Sequence, residues 1–190
     1  SDVFALTDGE IVDGVLTRTR HNASGAQVMG LTLEGKMAYL NKIQVQAGVT
    51  LQQSHYSKPH IWNKEAPAVK KMMRTPNTYG YFTATYTPIK PLSIALSGTY
   101  TGSMLVPHEP VPGFLENPIT VNTRDFFDIG LKAAYDFKLY KSMNLQVNAG
   151  IQNIFNAYQN DFDKGADRDS GYIYGPSLPR SFFAGVKISY

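Results

Sequence analysis

The sequence predicts an all-β fold: a segment of an antiparallel transmembrane β-barrel with short turns at one end and long loops at the other. Three observations carry this. Apolar and polar side chains alternate with period two over segments of about ten to fourteen residues from residue 26 onward. The connections between these segments alternate strictly between short and long. Aromatics reach 12%, with 12 Tyr and 10 Phe against one Trp, while charged residues are only 17%, below the roughly 25% of a typical soluble domain.

Taken in order, Val3-Phe4-Ala5-Leu6 reads as the stub of a strand, and the abrupt start within it favours a piece of a longer barrel. A connection is expected over 8–23. The first full strand places Met29, Leu31, Leu33, Met37 and Tyr39 on one face and Thr32, Glu34 and Lys36 on the other. The second sets Ile43, Val45, Ala47, Val49 and Leu51 against Gln44, Gln46, Thr50 and Gln52. The stretch from Thr78 to Tyr86 is strand-like with aromatics on both faces. Leu92, Ile94, Leu96 and Tyr100 then alternate with Ser93, Ser97, Thr99 and Thr101. Phe127, Ile129, Leu131, Tyr135, Phe137 and Leu139 alternate with Asp128, Lys132, Asp136 and Lys138. Met143, Leu145, Val147, Ala149 and Ile151 follow, and the chain closes on Phe182, Ala184, Val186, Ile188 and Tyr190.

Leu40-Asn41, Pro88-Ile89-Lys90-Pro91 and Tyr140-Lys141-Ser142 are the short connections; 53–77, 104–124 and 156–179 are the long ones. Structureless loops above about 15 residues are uncommon in compact soluble domains, yet here they recur at one end of successive hairpins. A soluble β-sandwich alternates equally well, and segment length separates the two readings. About 12 residues at roughly 3.3 Å each, tilted near 40°, span about 30 Å, a bilayer thickness rather than a sandwich strand. Tyr39, Tyr86, Tyr135 and Phe137 near strand ends suit an interfacial aromatic girdle.

The formal charge of +3 is too small and too scattered for a nucleic-acid surface. With no cysteine, disulfides, Cys-ligated zinc and thiol catalysis are excluded. No run of about 18 apolar residues offers a transmembrane helix, which leaves a closed β-barrel as the way across a membrane.

The four histidines, His21, His55, His60 and His108, fall in loops or at loop edges without a metal-binding or catalytic spacing. No nucleophile elbow, phosphate loop or paired carboxylates with a base occur, so the sequence predicts no enzyme and no cofactor. Asp161, Asp163, Asp167 and Asp169 are hard-oxygen candidates for calcium, although Gly165 sits at the fifth position and no Glu at the twelfth of an EF-hand frame. The reading beside it is carboxylates that pair within the loops. His55, Tyr56, His60 and Trp62, with neighbouring lysines, form a set able to stack on an aromatic anionic ligand; an ordinary loop packing its own aromatics is equally expected.

Several stretches resemble the C-terminal part of TonB-dependent outer-membrane receptors, notably those of the Bacteroidetes. Asn22-Ala23-Ser24-Gly25-Ala26-Gln27-Val28-Met29-Gly30-Leu31-Thr32-Leu33-Glu34 is similar to a strand pattern of that family, with Thr32 where a Glu is usual and Glu34 two residues later. Arg74-Thr75-Pro76-Asn77-Thr78-Tyr79-Gly80-Tyr81 and Ser97-Gly98-Thr99-Tyr100-Thr101-Gly102-Ser103-Met104 continue the series. Gly150-Ile151-Gln152-Asn153-Ile154-Phe155-Asn156 resembles the ending of a late strand, and Tyr174-Gly175-Pro176-Ser177-Leu178-Pro179-Arg180 the approach to the last one. The aromatic terminus Tyr190 resembles the signal read by the barrel-assembly machinery.

The resemblance implies that residues 1–190 supply about seven to eight strands of a 22-stranded barrel, without the N-terminal plug and its TonB-contacting segment. It further implies a bacterial outer-membrane importer for a scarce large nutrient such as a ferric siderophore, haem or cobalamin. The expected partners are outer-membrane lipid, TonB through the missing part, the assembly machinery and the imported ligand. Loop residues His55, Tyr56, His60, Trp62, His108 and Tyr172 would then help form the outer binding surface. A complete eight-stranded barrel acting as an adhesin or binding protein is the alternative, and a soluble β-sandwich module the third reading.

Overall fold

The computed structural model describes residues 4–6, 10–13, 15–17, 19–22, 25–140 and 142–190. All regular structure in them is β, all strand pairs within sheets are antiparallel, and no helix is long and apolar enough to cross a membrane. Two short pairs come first: β1 (Phe4–Leu6) with β4 (Arg20–Asn22), and β2 (Glu10–Val12) with β3 (Val15–Thr17). The connection expected over 8–23 thus carries strand pairing in its described part; Asp8, Ala23 and other residues of it lie outside the described residues.

The large sheet is a meander. It runs through β5 (Ala26–Tyr39), β6 (Ile43–His60), β8 (Thr78–Ile89), β9 (Leu92–Thr101), β12 (Phe126–Tyr140), β13 (Met143–Gln152) and β14 (Ser181–Ser189). Each strand bonds to its neighbour in sequence, β7 (Val69–Lys71) pairs with the end of β6, and β5 and β14 are the edges. Turns at 40–42 and 90–91 and the short step from Tyr140 to Met143 occupy one end, and connections 61–77, 102–125 and 153–180 the other.

The short turns follow from local chemistry. Leu40 and Asn41 both adopt positive φ, 49° and 52°, and the Lys42 N–H donates to the Tyr39 carbonyl at 2.9 Å, the primed geometry that matches strand twist. Between Tyr86 and Ile89 the register shifts around Pro88, which has no N–H to give to the ladder. A second shift, between Lys138 and Tyr140, precedes the third turn.

Register makes one face apolar across every strand. Met37, Val45, Ala84, Leu96, Leu131, Ile151 and Phe182 form one unbroken cross-strand row. Tyr39, Ile43, Tyr86, Ile94, Ala133, Ala149 and Ala184 form the next. Toward the long connections, Phe82 and Tyr100 gather around Phe127 at 6.3 and 6.5 Å between ring centroids. Toward the turns, Tyr135 and Phe137 lie 4.6 Å apart. The eight residue steps from Phe127 to Tyr135 correspond to about 26 Å along the strand, or roughly 20 Å across a sheet tilted by 40°.

The opposite face is polar. Thr32 and Thr50 share a 2.9 Å hydrogen bond, Gln46 donates to the Tyr81 hydroxyl at 3.1 Å, and Tyr81 donates to Glu34 at 3.3 Å. This resolves the aromatics on both faces of β8: Tyr79 and Tyr81 side with the polar row, Phe82 and Tyr86 with the apolar one.

The packed core lies away from the apolar face. Val106, Phe126, Tyr172 and Tyr174 form it, with Met104, Val121 and Ala157 against them, all in or beside the long connections. Leu31, Leu33 and Met37 remain 60% exposed and Phe182 78%. Among the described residues, substantial strand contacts run only between hydrogen-bonded neighbours, so no second sheet of them covers this face as it would in a sandwich.

Two boundaries differ from expectation. β6 continues to His60, past the start of the connection expected at residue 53, because its backbone finds partners in Ala26–Met29 of β5 and in β7. The 102–125 connection contains its own hairpin, β10 (Leu105–His108) with β11 (Ile119–Asn122).

Candidate functional site

The three long connections fold into one cap, and it begins with an asparagine. Asn153 leaves β13 at φ 50°, a left-handed conformation that Asn tolerates better than most residues. It is 1% exposed, and its amide donates to the carbonyls of Ala157 at 2.8 Å and Leu178 at 2.9 Å while its oxygen accepts from the Ala157 N–H at 2.8 Å. Asn156, at φ 51°, accepts from the Arg180 N–H at 2.9 Å. The two amides pin both ends of connection 153–180 together. Gly175, at φ 87°, lets the backbone sit against the Phe126 ring, where a Cβ would meet Cζ at 2.8 Å. The connection therefore leans over the polar face, leaving a cleft of about 230 Å³ lined by Ser97, Asp128, Gln152 and Leu178 among others.

Two residues join all three connections. Arg74, at φ 55°, donates its backbone N–H to Leu105 at 2.7 Å and its guanidinium to the carbonyls of Ile173, at 3.0 Å, and Gly171. Glu109 accepts from Asn63 at 2.8 Å, while its own N–H donates to Asp169 at 2.9 Å.

Inside the cap, His108 stacks on Tyr172 with centroids 3.8 Å apart and planes 3° from parallel, and its Nε2 lies 2.9 Å from Asp163. Asp161 accepts from the hydroxyls of Tyr172 at 2.8 Å and Tyr174 at 2.5 Å. Burial pushes Asp161 upward, but hydrogen bonds from Tyr174, Tyr172 and Gln159 outweigh it and hold the carboxyl below its usual range. Burial and the bond to Asp161 push Tyr174 up to about 12, and raise Tyr172 further. Gln159, 5% exposed, closes the frame: its amide donates to the Tyr172 carbonyl at 3.1 Å and its oxygen accepts from the Tyr174 N–H at 3.0 Å.

The sequence-derived candidates divide into two groups. His55, Tyr56 and His60 stand on the part of β6 that extends beyond β8, with the Tyr56 and His60 rings 4.7 Å apart. Trp62 follows at the base of the cap with its Nε1 buried and unbonded. His108 and Tyr172 are brought together but are buried, at 6% and 2% exposure, so they are framework and not open surface. The first group meets the second through the Asn63–Glu109 contact beside Trp62 and His108.

Of the calcium candidates, Asp161 and Asp163 accept the bonds described above, and Asp169 bonds the N–H groups of Glu109 and Gly171. Asp167 lines a cleft with Phe114. Among the described residues, no group of three or more His, Cys, Asp and Glu is placed to hold a metal ion. Tyr190 ends the chain 98% exposed.

Sequence reasoning passed over Arg74, Asn153, Gln159 and Tyr174 as parts of this site. Only the last had a readable signal: Tyr172 and Tyr174 are two apart and so share a side of an extended segment. No protein-family model and no curated protein matches the chain.

Proposed function

We propose that the chain is the C-terminal part of the β-barrel of a TonB-dependent outer-membrane importer for a scarce large nutrient such as a ferric siderophore, haem or cobalamin. One observation carries the reading. Seven successive strands present a continuous, uncovered apolar face, while the packed core sits in the long connections at one end. Water does not tolerate such a face on a monomer, and lipid does. The polar face would line the barrel interior, the capped end would face outward and help receive the ligand, and the short turns would lie in the periplasm. The chain would act without catalysis or cofactor, drawing energy from TonB through a plug outside these residues. Among the described residues the edges β5 and β14 are unpaired, which suits a sheet continued by further strands of the same barrel.

The test is the size and heat-modifiability of the native gene product extracted from outer membranes. We expect a heat-modifiable species about three times as long as this chain or more, as a 22-stranded barrel with a plug requires. A heat-modifiable species of this chain's own size would replace the importer with a small complete barrel, and a protein absent from the membrane fraction would remove both.

A further inference from the structure

Resting on the importer reading, we propose that the outer surface of connection 153–180 carries a binding cleft for a neutral, ring-bearing apolar group of the ligand. The cleft measures about 540 Å³, within the range of small-molecule sites, and its open surface comes from Tyr158, Phe162, Ile173, Pro176 and Pro179.

The buried polar groups of its lining are already engaged, while Arg168, Ser170 and Ser177 stand exposed. Gln159 is bonded to the backbone on both sides of Ile173, the Tyr172 and Tyr174 hydroxyls are held by Asp161, and both Asp169 oxygens accept backbone N–H groups. Inside the cleft a hydrophilic ligand would find its buried partners already bonded and would meet chiefly those three exposed side chains. Charge argues the same way: Asp161, Asp163, Asp167 and Asp169 surround the region against Lys164 and Arg168, which disfavours a hard anion.

The apolar groups are also presented rigidly. Ile173 is 65% exposed, yet its carbonyl is held by Arg74 and its N–H by Gly171. Phe162 is 47% exposed on a segment fixed by Asp161 and Asp163 at either side. An apolar side chain held open by backbone bonds has its ordering cost met before a ligand arrives.

The experiment uses the gene product in lipid nanodiscs, with tritiated estradiol as a neutral four-ring probe, equilibrium dialysis as the readout and empty discs as the lipid background. We expect saturable binding, one per protein, weakened at least tenfold by Ile173→Asp and by Phe162→Asp. Ile61→Asp, equally exposed on another connection, should leave it unchanged. A hydrophilic ferric hydroxamate should not compete.

Heat-modifiability of each protein is measured alongside. A heat-modifiable barrel that binds no estradiol above empty discs, keeps binding in both cleft variants, or loses it in Ile61→Asp overturns the cleft while leaving the importer reading in place. Saturable binding, sensitive to Ile173→Asp, in a protein that is not a heat-modifiable barrel would keep the cleft and remove the importer.

Discussion

Asp161 shows how much one side chain can organise when two others reach it from the same side of a strand-like segment. Its carboxyl is stabilised as the anion, so its contribution is present above the ordinary carboxylate pKa and is lost as pH falls through its lowered folded value. Tyr174 has the opposite sign: a folded pKa raised to about 12 means stability in full below the ordinary tyrosine pKa, lost as pH rises through that value. The cap should therefore hold across neutral pH and loosen at both extremes. In an ultraviolet phenolate titration, Asp161→Asn should bring the late-ionising tyrosines down toward the ordinary range. Unchanged late ionisation in that variant would show that burial alone delays them.

At the scale of strands, position in the cross-strand rows decides the effect of a change. Leu131 sits in the middle of the row from Met37 to Phe182. An arginine there should cost roughly 2 to 4 kcal/mol if the row lies near a bilayer midplane, and Leu96→Arg, directly opposite, should cost about the same. Folding into lipid vesicles, read as the denaturant midpoint of each variant, checks this; wild-type midpoints would contradict the facing. Aromatic rings also cover glycines on adjacent strands: Phe82 lies over Gly98 and Phe183 over Gly150, each where a Cβ would collide with the ring. The strands were legible because period two and register are one constraint: a slip by one residue would turn every leucine to the polar side. The β10–β11 hairpin and the last residues of β6 were not, since their pairing depends on partners that no local pattern announces.

For the molecule as a whole, the sheet leaves two long edges, β5 and β14, without a shared ladder among the described residues. Expressed alone and refolded into detergent, residues 1–190 should therefore form mixed oligomers and give no heat-modifiable monomer; a single compact monomer resistant to detergent would instead indicate closure within the chain. The antiparallel all-β meander was readable because it repeats along the sequence. The cap was not, because its bonds span large separations: Arg74 to Ile173, Asn63 to Glu109, Glu109 to Asp169 and His108 to Asp163 join residues whose relation only the folded sheet establishes. That is also why His108 and Tyr172, sensible as exposed ligands in the sequence, became each other's packing partners.

The mutual tie among the three connections bears on how this chain can change over generations. Loops between strands ordinarily drift and lengthen independently. Here an insertion near Arg74 would withdraw support from Leu105, Gly171 and Ile173 at once, and one near Glu109 would strand Asn63 and Asp169. Descendants that alter the outer surface of the cap should therefore do so by exchanging exposed side chains on a fixed outline, with length changes arriving in all three connections together or in none.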